Sequence, residues 1–166
     1  MTIQDAIDRL AAHAQPGNDL PEELFLFVST LTPLVNVDLL IQDEKKGTLL
    51  TWRDDKFYGA GWHVPGGIIR YKEHAHERVR KVAETELGCS VDFETAPMLV
   101  AESFSPERQR GHFVSLLYRC TLTGQPAPSL EAGAVPRRGD WKWHKAVPPD
   151  LLPVHRIYAA LLYKNN

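Results

Sequence analysis

The sequence predicts a mixed α/β (α+β) domain in which helices pack against a mixed β-sheet. Three observations carry this prediction. The chain has 166 residues, 43% of them hydrophobic and 24% charged, which is the balance of one ordinary folded domain. Residues 3–14 and 74–87 place apolar side chains at helical spacing. Several short β-like runs, bounded by Gly, Pro, Asn or Asp, lie between and after these two segments.

The N-terminal third of the chain predicts two helices and a β-hairpin. The first helix covers residues 3–14 and ends before Pro16. A second, shorter helix begins at Pro21, because proline is favoured in the first turn of a helix. The hairpin follows Pro33 and consists of strand 34–41, turn 43–47 and strand 48–52.

The rest of the chain predicts one long helix set among further strands. Residues 53–72 form a glycine-rich loop with a short strand. Helix 74–87 contains no Gly or Pro, and Gly88 suits the left-handed position that ends a helix. The elements expected after it are strands 97–102 and 112–123, a Pro/Gly-rich loop at 124–139, a short strand at 140–144 and a terminal helix at 148–164.

Charge and composition exclude several function classes. The formal net charge is −2, so no basic surface for nucleic acid or anionic lipid is expected. No apolar run approaches the roughly 18 residues of a membrane span, and the N-terminal segment has no apolar core of a signal peptide. Cys89 and Cys120 form no CxxC pair, so we expect two reduced thiols. These features together predict a cytoplasmic protein that binds neither nucleic acid nor membrane.

The segment from residue 66 to residue 89 carries the chemical signal. Paired glycines, Gly66 and Gly67, allow the backbone to come close to a ligand, because no Cβ stands in the way. Glu86 lies in the last turn of the following helix, beside the apolar residues Val79 and Val82. A carboxylate on the apolar side of a helix indicates a paired or metal-bound group.

This segment resembles the Nudix box, a pattern of Gly, Glu and Arg residues at fixed spacing. The matching residues are Gly67, Glu73, Glu86, Gly88 and, at the closing apolar position, Cys89. The departures are Lys81 where Arg is usual, and Val82 and Thr85 where Glu is usual. The resemblance implies a Nudix-fold α/β/α sandwich over residues 32–166, preceded by an N-terminal helical extension at 1–31.

The same two glutamates are replaced in the GDP-mannose mannosyl hydrolase branch of the Nudix family. The chain resembles that branch over residues 29–146, including the segments 32–38, 49–53 and 61–67. The resemblance implies Mg²⁺-dependent hydrolysis of a nucleoside-diphosphate sugar by attack of water on the anomeric carbon. GDP-mannose is the first compound to test as the substrate. It also implies a homodimer that uses the N-terminal extension.

The resemblance assigns a role to each matching residue. The Gly66 carbonyl and Glu86 would hold one Mg²⁺, with Mn²⁺ as a substitute, completed by water and phosphate oxygens. Arg53 would contact the leaving diphosphate, and Asp38 and Gly67 would line the substrate site. The remaining box residues would be structural: Glu73 and Lys81 as a pair that braces loop against helix, and Gly88 as the helix end.

The match fails at the general base. The branch has a Gln-His pair before its late strand, and the alignment on Trp143 places Arg137 and Arg138 there. A second histidine of the branch falls on Ser103. Two arginines cannot act as a base at neutral pH, although they could bind a more highly charged substrate. The candidates for a replacement base are Glu102, Asp140 and His144.

Other side chains have two interpretations each. Arg108 and Arg110 fit a solvated loop, with phosphate capture as the alternative. His112 and His155 fit partly buried, hydrogen-bonded histidines. Two further functions also stay open: cleavage of another nucleoside-diphosphate derivative at phosphorus, and a Nudix-like module that binds a nucleotide without catalysis.

Overall fold

A computed structural model describes residues 2–163 and confirms the mixed α/β prediction. Its helical segments are α1 (Ile3–Ala11), α2 (Glu22–Val28), α3 (Ala75–Val82) with a π-helical continuation over Ala83–Leu87, two 3₁₀ turns (Pro128–Leu130 and Pro153–Tyr158) and α4 (Ala159–Leu162). Its strands are β1 (Leu34–Asp43), β2 (Gly47–Asp55), β3 (Gly59–His63), β4 (Gly66–Ile68), β5 (Val91–Phe93), β6 (Leu99–Phe104), β7 (His112–Leu122) and β8 (Trp141–His144).

The eight strands form one mixed sheet. The strand order is β3-β2-β1-β7-β5, with β4 paired to β1, β6 to β7 and β8 to β2. β1 and β7 run parallel, from the pair Leu34–Phe113 to the pair Ile41–Cys120. The other pairings are antiparallel. The central strand β1 therefore contributes side chains to both faces of the sheet.

Two cores cover the two faces of this sheet, as expected for an α/β/α sandwich. Residues 37, 39 and 41 of β1 pack with Val79 and Val82 of α3 in one core. Leu40 points the other way, because side chains alternate along a strand, and packs with Tyr158 and Leu162 in the second core. Asp38 has the same parity as Leu40, so it belongs to the face that the C-terminal segment covers.

The predicted boundaries hold closely in the middle of the chain. The expected helix 74–87 begins at His74, whose backbone N–H donates to Glu77 Oε2 over 2.8 Å in a capping box. Gly88 ends the π-helical turn with a φ of 64°, which confirms the predicted left-handed residue. Both cysteines are free thiols, as predicted.

Both terminal helices are shorter than their sequence patterns predict. α1 ends at Ala11 rather than residue 14, because residues 12–14 form turns ahead of Pro16. The C-terminal segment becomes helical only at Pro153, because proline is tolerated only in a first turn; the preceding Leu152 donates its N–H to Trp62 O. The end predicted at Lys164 lies outside the described residues. Strand β5 is absent from the prediction because three residues show no periodicity.

No helix within residues 2–163 is both long enough and apolar enough to span a membrane.

Candidate active site

A cavity lies between the sheet and the C-terminal 3₁₀ turn. Its lining comes from β1, β2, β3, β4, β6, β7, the turn after β2, the loop before β7 and the C-terminal turn. The residues are Asn36, Asp38, Arg53, Tyr58, His63, Gly66, Gly67, Ile68, Ser103, Arg110, Phe113, Ser115, Val154, His155, Ile157 and Tyr158. Four of the predicted site residues therefore share one cavity: Asp38, Arg53, Gly66 and Gly67.

Asp38 is the buried acid of the cavity. Its side chain accepts a hydrogen bond from the Tyr158 hydroxyl at 2.6 Å and one from Asn36 Nδ2 at 2.9 Å. Ser115 Oγ donates to Asn36 Oδ1 over 2.9 Å and so fixes that amide. Burial raises the pKa of Asp38 to about 6, although these hydrogen bonds and Arg53 lower it. The carboxyl can therefore gain or lose a proton close to neutral pH.

The two glycines bring the backbone close to this acid. Gly66 pairs with Asp38 across β1 and β4. A Cβ on Gly66 would lie 2.3 Å from Asp38 Oδ1 and 2.8 Å from Val37 O, so no larger residue fits there. A Cβ on Gly67 would lie 2.9 Å from Val82 Cγ2. Val82, which replaces a box glutamate, is thus a packing residue between helix α3 and β4.

Glu86 belongs to the π-helical turn and is not among the residues that line the cavity. Its Oε2 accepts a hydrogen bond from Thr51 Oγ1 at 2.8 Å. Burial raises the pKa of Glu86 to about 7, the nearby Asp38 carboxylate also raises it, and Thr51, Arg53 and the Gly66 backbone lower it. Burial thus disfavours the ionised forms of both Asp38 and Glu86, and a cation bound near them would offset that cost.

Thr51 connects Glu86 to a histidine of the cavity. Its Oγ1 lies 3.1 Å from His63 Nε2, and His63 Nδ1 lies 2.8 Å from Val64 O. Because a carbonyl can only accept, Nδ1 carries the ring proton. Burial and Arg53 hold the pKa of His63 well below its ordinary value, so the ring is neutral. The single hydroxyl proton of Thr51 can be donated either to Glu86 Oε2 or to His63 Nε2, but not to both at once.

The donor set fits one weakly held divalent cation rather than a preformed metal cluster. No group of three or more His, Cys, Asp and Glu side chains that could bind a metal occurs among residues 2–163. Thr85 is exposed, and its hydroxyl donates to Lys81 O over 2.8 Å. Glu86 and the Gly66 carbonyl are hard oxygen donors of the kind Mg²⁺ prefers, and Mg²⁺ usually keeps several waters. The residues present therefore fit the ion, with few ligands from the protein.

Arg53 is the central positive charge of the cavity. Its Nε lies 3.4 Å from Asp55 Oδ2, and its guanidinium carbon lies 5.5 Å from the centre of the Tyr58 ring. Its charge lowers the pKa values of both acids, Asp38 and Glu86, and of both buried histidines. Because its charge acts on all four of these side chains and it lines the cavity, Arg53 is well placed to contact an anionic ligand.

The expected brace between loop and helix uses a different cation. Glu73 Oε2 accepts hydrogen bonds from Arg78 Nε and from the Arg70 backbone N–H, each at 2.8 Å. Lys81, predicted as the partner, is exposed. The prediction of a Glu73–Lys81 pair is wrong: Glu73 precedes helix α3 and pairs with Arg78 near the start of that helix, whereas Lys81 lies almost one turn further along.

The late arginines and the proposed replacement bases do not line the cavity. Arg137 is exposed, and its backbone N–H donates to Asp140 Oδ2 over 2.8 Å, which makes Asp140 the acceptor of a tight turn. Arg138 is exposed on the same turn. His144 packs edge-on against Trp62, with ring centres 4.5 Å apart. Glu102 bonds His112 over 2.8 Å on the outer face of β6.

The cavity contains residues that the sequence analysis missed or assigned to the surface. Ser103 and Arg110 line it, as do His63, His155 and Tyr158. His155 is buried as predicted, yet its Nδ1 has no hydrogen-bond partner. Burial and Arg53 lower its pKa to about 3, so its ring is neutral. The His63-Val64-Pro65-Gly66 run could have indicated His63, whereas no local pattern indicates His155.

Comparison with known proteins decides the family. The NUDIX domain family model matches residues 32–160. The chain belongs to the Nudix family. Nudix hydrolases act on small-molecule nucleotide derivatives and generally use divalent metals such as Mg²⁺.

One curated relative comes from Haloferax volcanii. The low-salt glycan biosynthesis protein Agl8 of Haloferax volcanii is 33% identical over 81 residues, which are 49% of this chain and 51% of that protein. The chain thus spans about half the length of the curated relative it matches.

Solved structures confirm the Nudix fold. A MutT Nudix hydrolase from Burkholderia pseudomallei superimposes with a TM-score of 0.58 at 22% identity, over 76% of this chain and 95% of that chain. An ADP-ribose pyrophosphatase from Streptococcus suis gives 0.53 at 18% identity, over 79% and 87%. At these identities the likeness shows the fold alone.

Proposed function

We propose that this Nudix protein is a Mg²⁺-dependent hydrolase of a nucleoside-diphosphate sugar, with GDP-mannose as the first substrate to test. The observation that carries the proposal is that Asp38, Arg53 and Gly66 line one cavity, while Glu86 lies next to the Gly66 backbone without lining that cavity. The archaeal relative, named for glycan biosynthesis, adds support, because glycan assembly consumes sugar nucleotides.

Glu86 and the Gly66 carbonyl are the residues we propose to hold Mg²⁺. When bound, the ion supplies positive charge for the leaving diphosphate. Arg53 adds a guanidinium that can pair with two phosphate oxygens at once. Because only one of the three glutamates expected at helix positions 82, 85 and 86 is retained, with Val82 and Thr85 in the other two positions, the usual box base for attack at phosphorus is missing. This loss supports attack at carbon.

Asp38 is the proposed proton acceptor. The oxygen of water bonds to the anomeric carbon, the bond between that carbon and the phosphate oxygen breaks, and its electron pair leaves with the nucleoside diphosphate. The water proton passes to the Asp38 carboxylate, whose pKa of about 6 leaves it ionised at neutral pH. Tyr158 and Asn36 hold this carboxylate in place by hydrogen bonds.

Isotope labelling tests the reaction. The protein is incubated with Mg²⁺ and GDP-mannose in ¹⁸O-water, and the products are weighed by mass spectrometry. The proposal expects the label in mannose and none in GDP. Label in a phosphate would show attack at phosphorus instead. Binding without turnover, over a panel of nucleotide sugars, would identify a nucleotide-binding module.

We also propose that the N-terminal extension forms a homodimer contact. α1 has no buried residue, although Ile3, Ile7 and Leu10 lie on one apolar face and are 82%, 50% and 40% exposed. An apolar helix face of this kind is stabilised when it packs against a partner. A second copy of the chain offers the same face in return.

A further inference from the structure

Arg110 is a second cation of the cavity, and two aromatic rings hold it there. It lies in the loop between β6 and β7 and lines the cavity. Its guanidinium carbon lies 4.8 Å from the centre of the Phe25 ring and 4.6 Å from that of Phe57. The Tyr58 hydroxyl donates a hydrogen bond to the Arg110 backbone carbonyl at 2.7 Å. Both the side chain and the backbone of Arg110 are therefore fixed.

This guanidinium lacks an anionic partner. Among the salt bridges of residues 2–163, none involves Arg110. Its Nε is buried and has no hydrogen-bond partner. Burial, together with the charge of Arg53, lowers the pKa of Arg110. A partly desolvated cation with an unused donor is costly, and an anionic ligand in the cavity would satisfy it.

The neighbouring Arg108 shows that the loop can also satisfy an arginine internally. Its Nε lies 3.6 Å from Glu107 Oε1, and its NH1 donates to Phe57 O over 3.3 Å. Its guanidinium carbon lies 5.2 Å from the centre of the Tyr58 ring, yet it does not line the cavity. Arg108 and Arg110 thus share a loop and an aromatic environment, and they differ in the acid partner and in access to the cavity.

The N-terminal extension provides one of the two rings. Phe25 belongs to α2, and the same helix contacts the β2–β3 turn through an ion pair between Glu22 and Lys56. Phe57 belongs to that turn and forms the other side of the aromatic pair. The position of α2 therefore determines the position of the Arg110 side chain, although α2 does not line the cavity.

We propose that Arg110 binds the diphosphate of the nucleotide ligand together with Arg53, and that Phe25 of α2 is a positioning residue for it. Two guanidiniums at one cavity match two adjacent phosphates, since each planar fork can pair with two oxygens. This proposal rests on the proposed function for the choice of ligand. It assigns the N-terminal extension a role in substrate binding besides the dimer contact.

Calorimetric binding of GDP and of inorganic pyrophosphate tests the role of Arg110. EDTA is present, so that no metal ion contributes to binding. We expect Arg110→Ala to raise the Kd of both ligands about tenfold or more, and Arg110→Lys to raise it by a smaller factor. Arg108→Ala is the matched control and should change the Kd by less than about twofold. Equal binding by Arg110→Ala and the wild-type protein, or no binding by the wild-type protein, would overturn the proposal.

A double-mutant cycle tests the role of Phe25. Phe25→Ala should raise the Kd for GDP by about threefold to tenfold in the wild-type background and leave it unchanged in the Arg110→Ala background. Phe27→Ala on the same helix is the control, because that ring is 50% exposed and is not stacked on Arg110. The same loss in both backgrounds would show a general effect on folding and would contradict a positioning role.

The two proposals fail in distinguishable ways. If Arg110 governs GDP binding and no ¹⁸O enters mannose, the cavity binds a diphosphate and the proposed reaction is wrong. If ¹⁸O enters mannose and Arg110→Ala binds GDP like the wild-type protein, the reaction stands and the role of Arg110 is wrong.

Discussion

Replacement of Glu86 by glutamine should stabilise the metal-free protein and remove its metal-dependent activity. The pKa of Glu86 is raised from 4.5 to about 7, chiefly by burial. That difference corresponds to about 3 kcal/mol for the ionised form. Water that reaches the partly exposed side chain reduces the cost to about 1–2 kcal/mol. Glutamine carries no charge and can keep a hydrogen bond to Thr51, so the variant avoids this cost.

The pH dependence gives the sign of the effect. At pH 8.5 the carboxyl is ionised in both the folded and the unfolded wild-type chain, and the full cost is present. Below pH 4.5 it is protonated in both, and the cost disappears. Glu86→Gln should therefore exceed the wild-type Tm by about 3–6 °C at pH 8.5 in EDTA and match it near pH 4.

Calorimetry of unfolding measures this difference, with Glu84→Gln as the control because Glu84 is an exposed residue of the same π-helical turn. Added Mg²⁺ should raise the Tm of the wild-type protein and of Glu84→Gln, and leave Glu86→Gln unchanged. A variant that is less stable than wild type at pH 8.5, or equally shifted at both pH values, would refute the reasoning.

Three further predictions concern the fold around the cavity. Gly66→Ala should lower activity about tenfold or more and the free energy of unfolding by about 1–3 kcal/mol, because the new Cβ would lie 2.3 Å from Asp38 Oδ1. Gly124→Ala is the control and should change neither quantity, because no atom lies within 4 Å of a Cβ at that position. Arg78→Ala should lower the free energy of unfolding in urea by about 2–4 kcal/mol, because it leaves the Glu73 carboxylate without its cation, whereas Lys81→Ala should change it by less than about 0.5 kcal/mol. A larger loss for Lys81→Ala than for Arg78→Ala would support the Glu73–Lys81 pair instead. Ile7→Asp should convert a dimer to a monomer in light scattering, and a wild-type monomer would contradict the dimer proposal.

The part of the site that the sequence predicts is the part built from local spacing. Gly66, Gly67 and Glu86 lie in one strand–loop–helix unit, and the helix length alone fixes how Glu86 approaches the glycines. Gly88 was predictable for the same reason, since a helix without Gly or Pro must end at the first residue that tolerates a positive φ.

The part that the sequence does not predict depends on contacts between distant segments. His155 reaches the cavity only because Pro153 delays the C-terminal helix and Leu152 bonds Trp62. The sequence shows Arg110 only as a residue of a charged loop, and its contact with Phe25 depends on how α2 packs in the fold. The spacing of residues within either segment therefore could not predict these contacts.

The failed base candidates have a simple geometric cause. Adjacent residues of β6 face opposite sides of the sheet, so Ser103 in the cavity places Glu102 outside it. Asp140 and the backbone of Arg137 satisfy each other in a turn. Asp38, whose strand parity points it at Tyr158, was predicted as a site residue from the family resemblance and lines the cavity.

The central claim is that one divalent cation binds at Glu86 and Gly66 beneath the diphosphate of the ligand. Paramagnetic titration with Mn²⁺ in the presence of GDP counts the bound ions directly. We expect one Mn²⁺ per chain for the wild-type protein and for Glu84→Gln, and none for Glu86→Gln. Two or more ions per chain, or one ion that persists in Glu86→Gln, would contradict it.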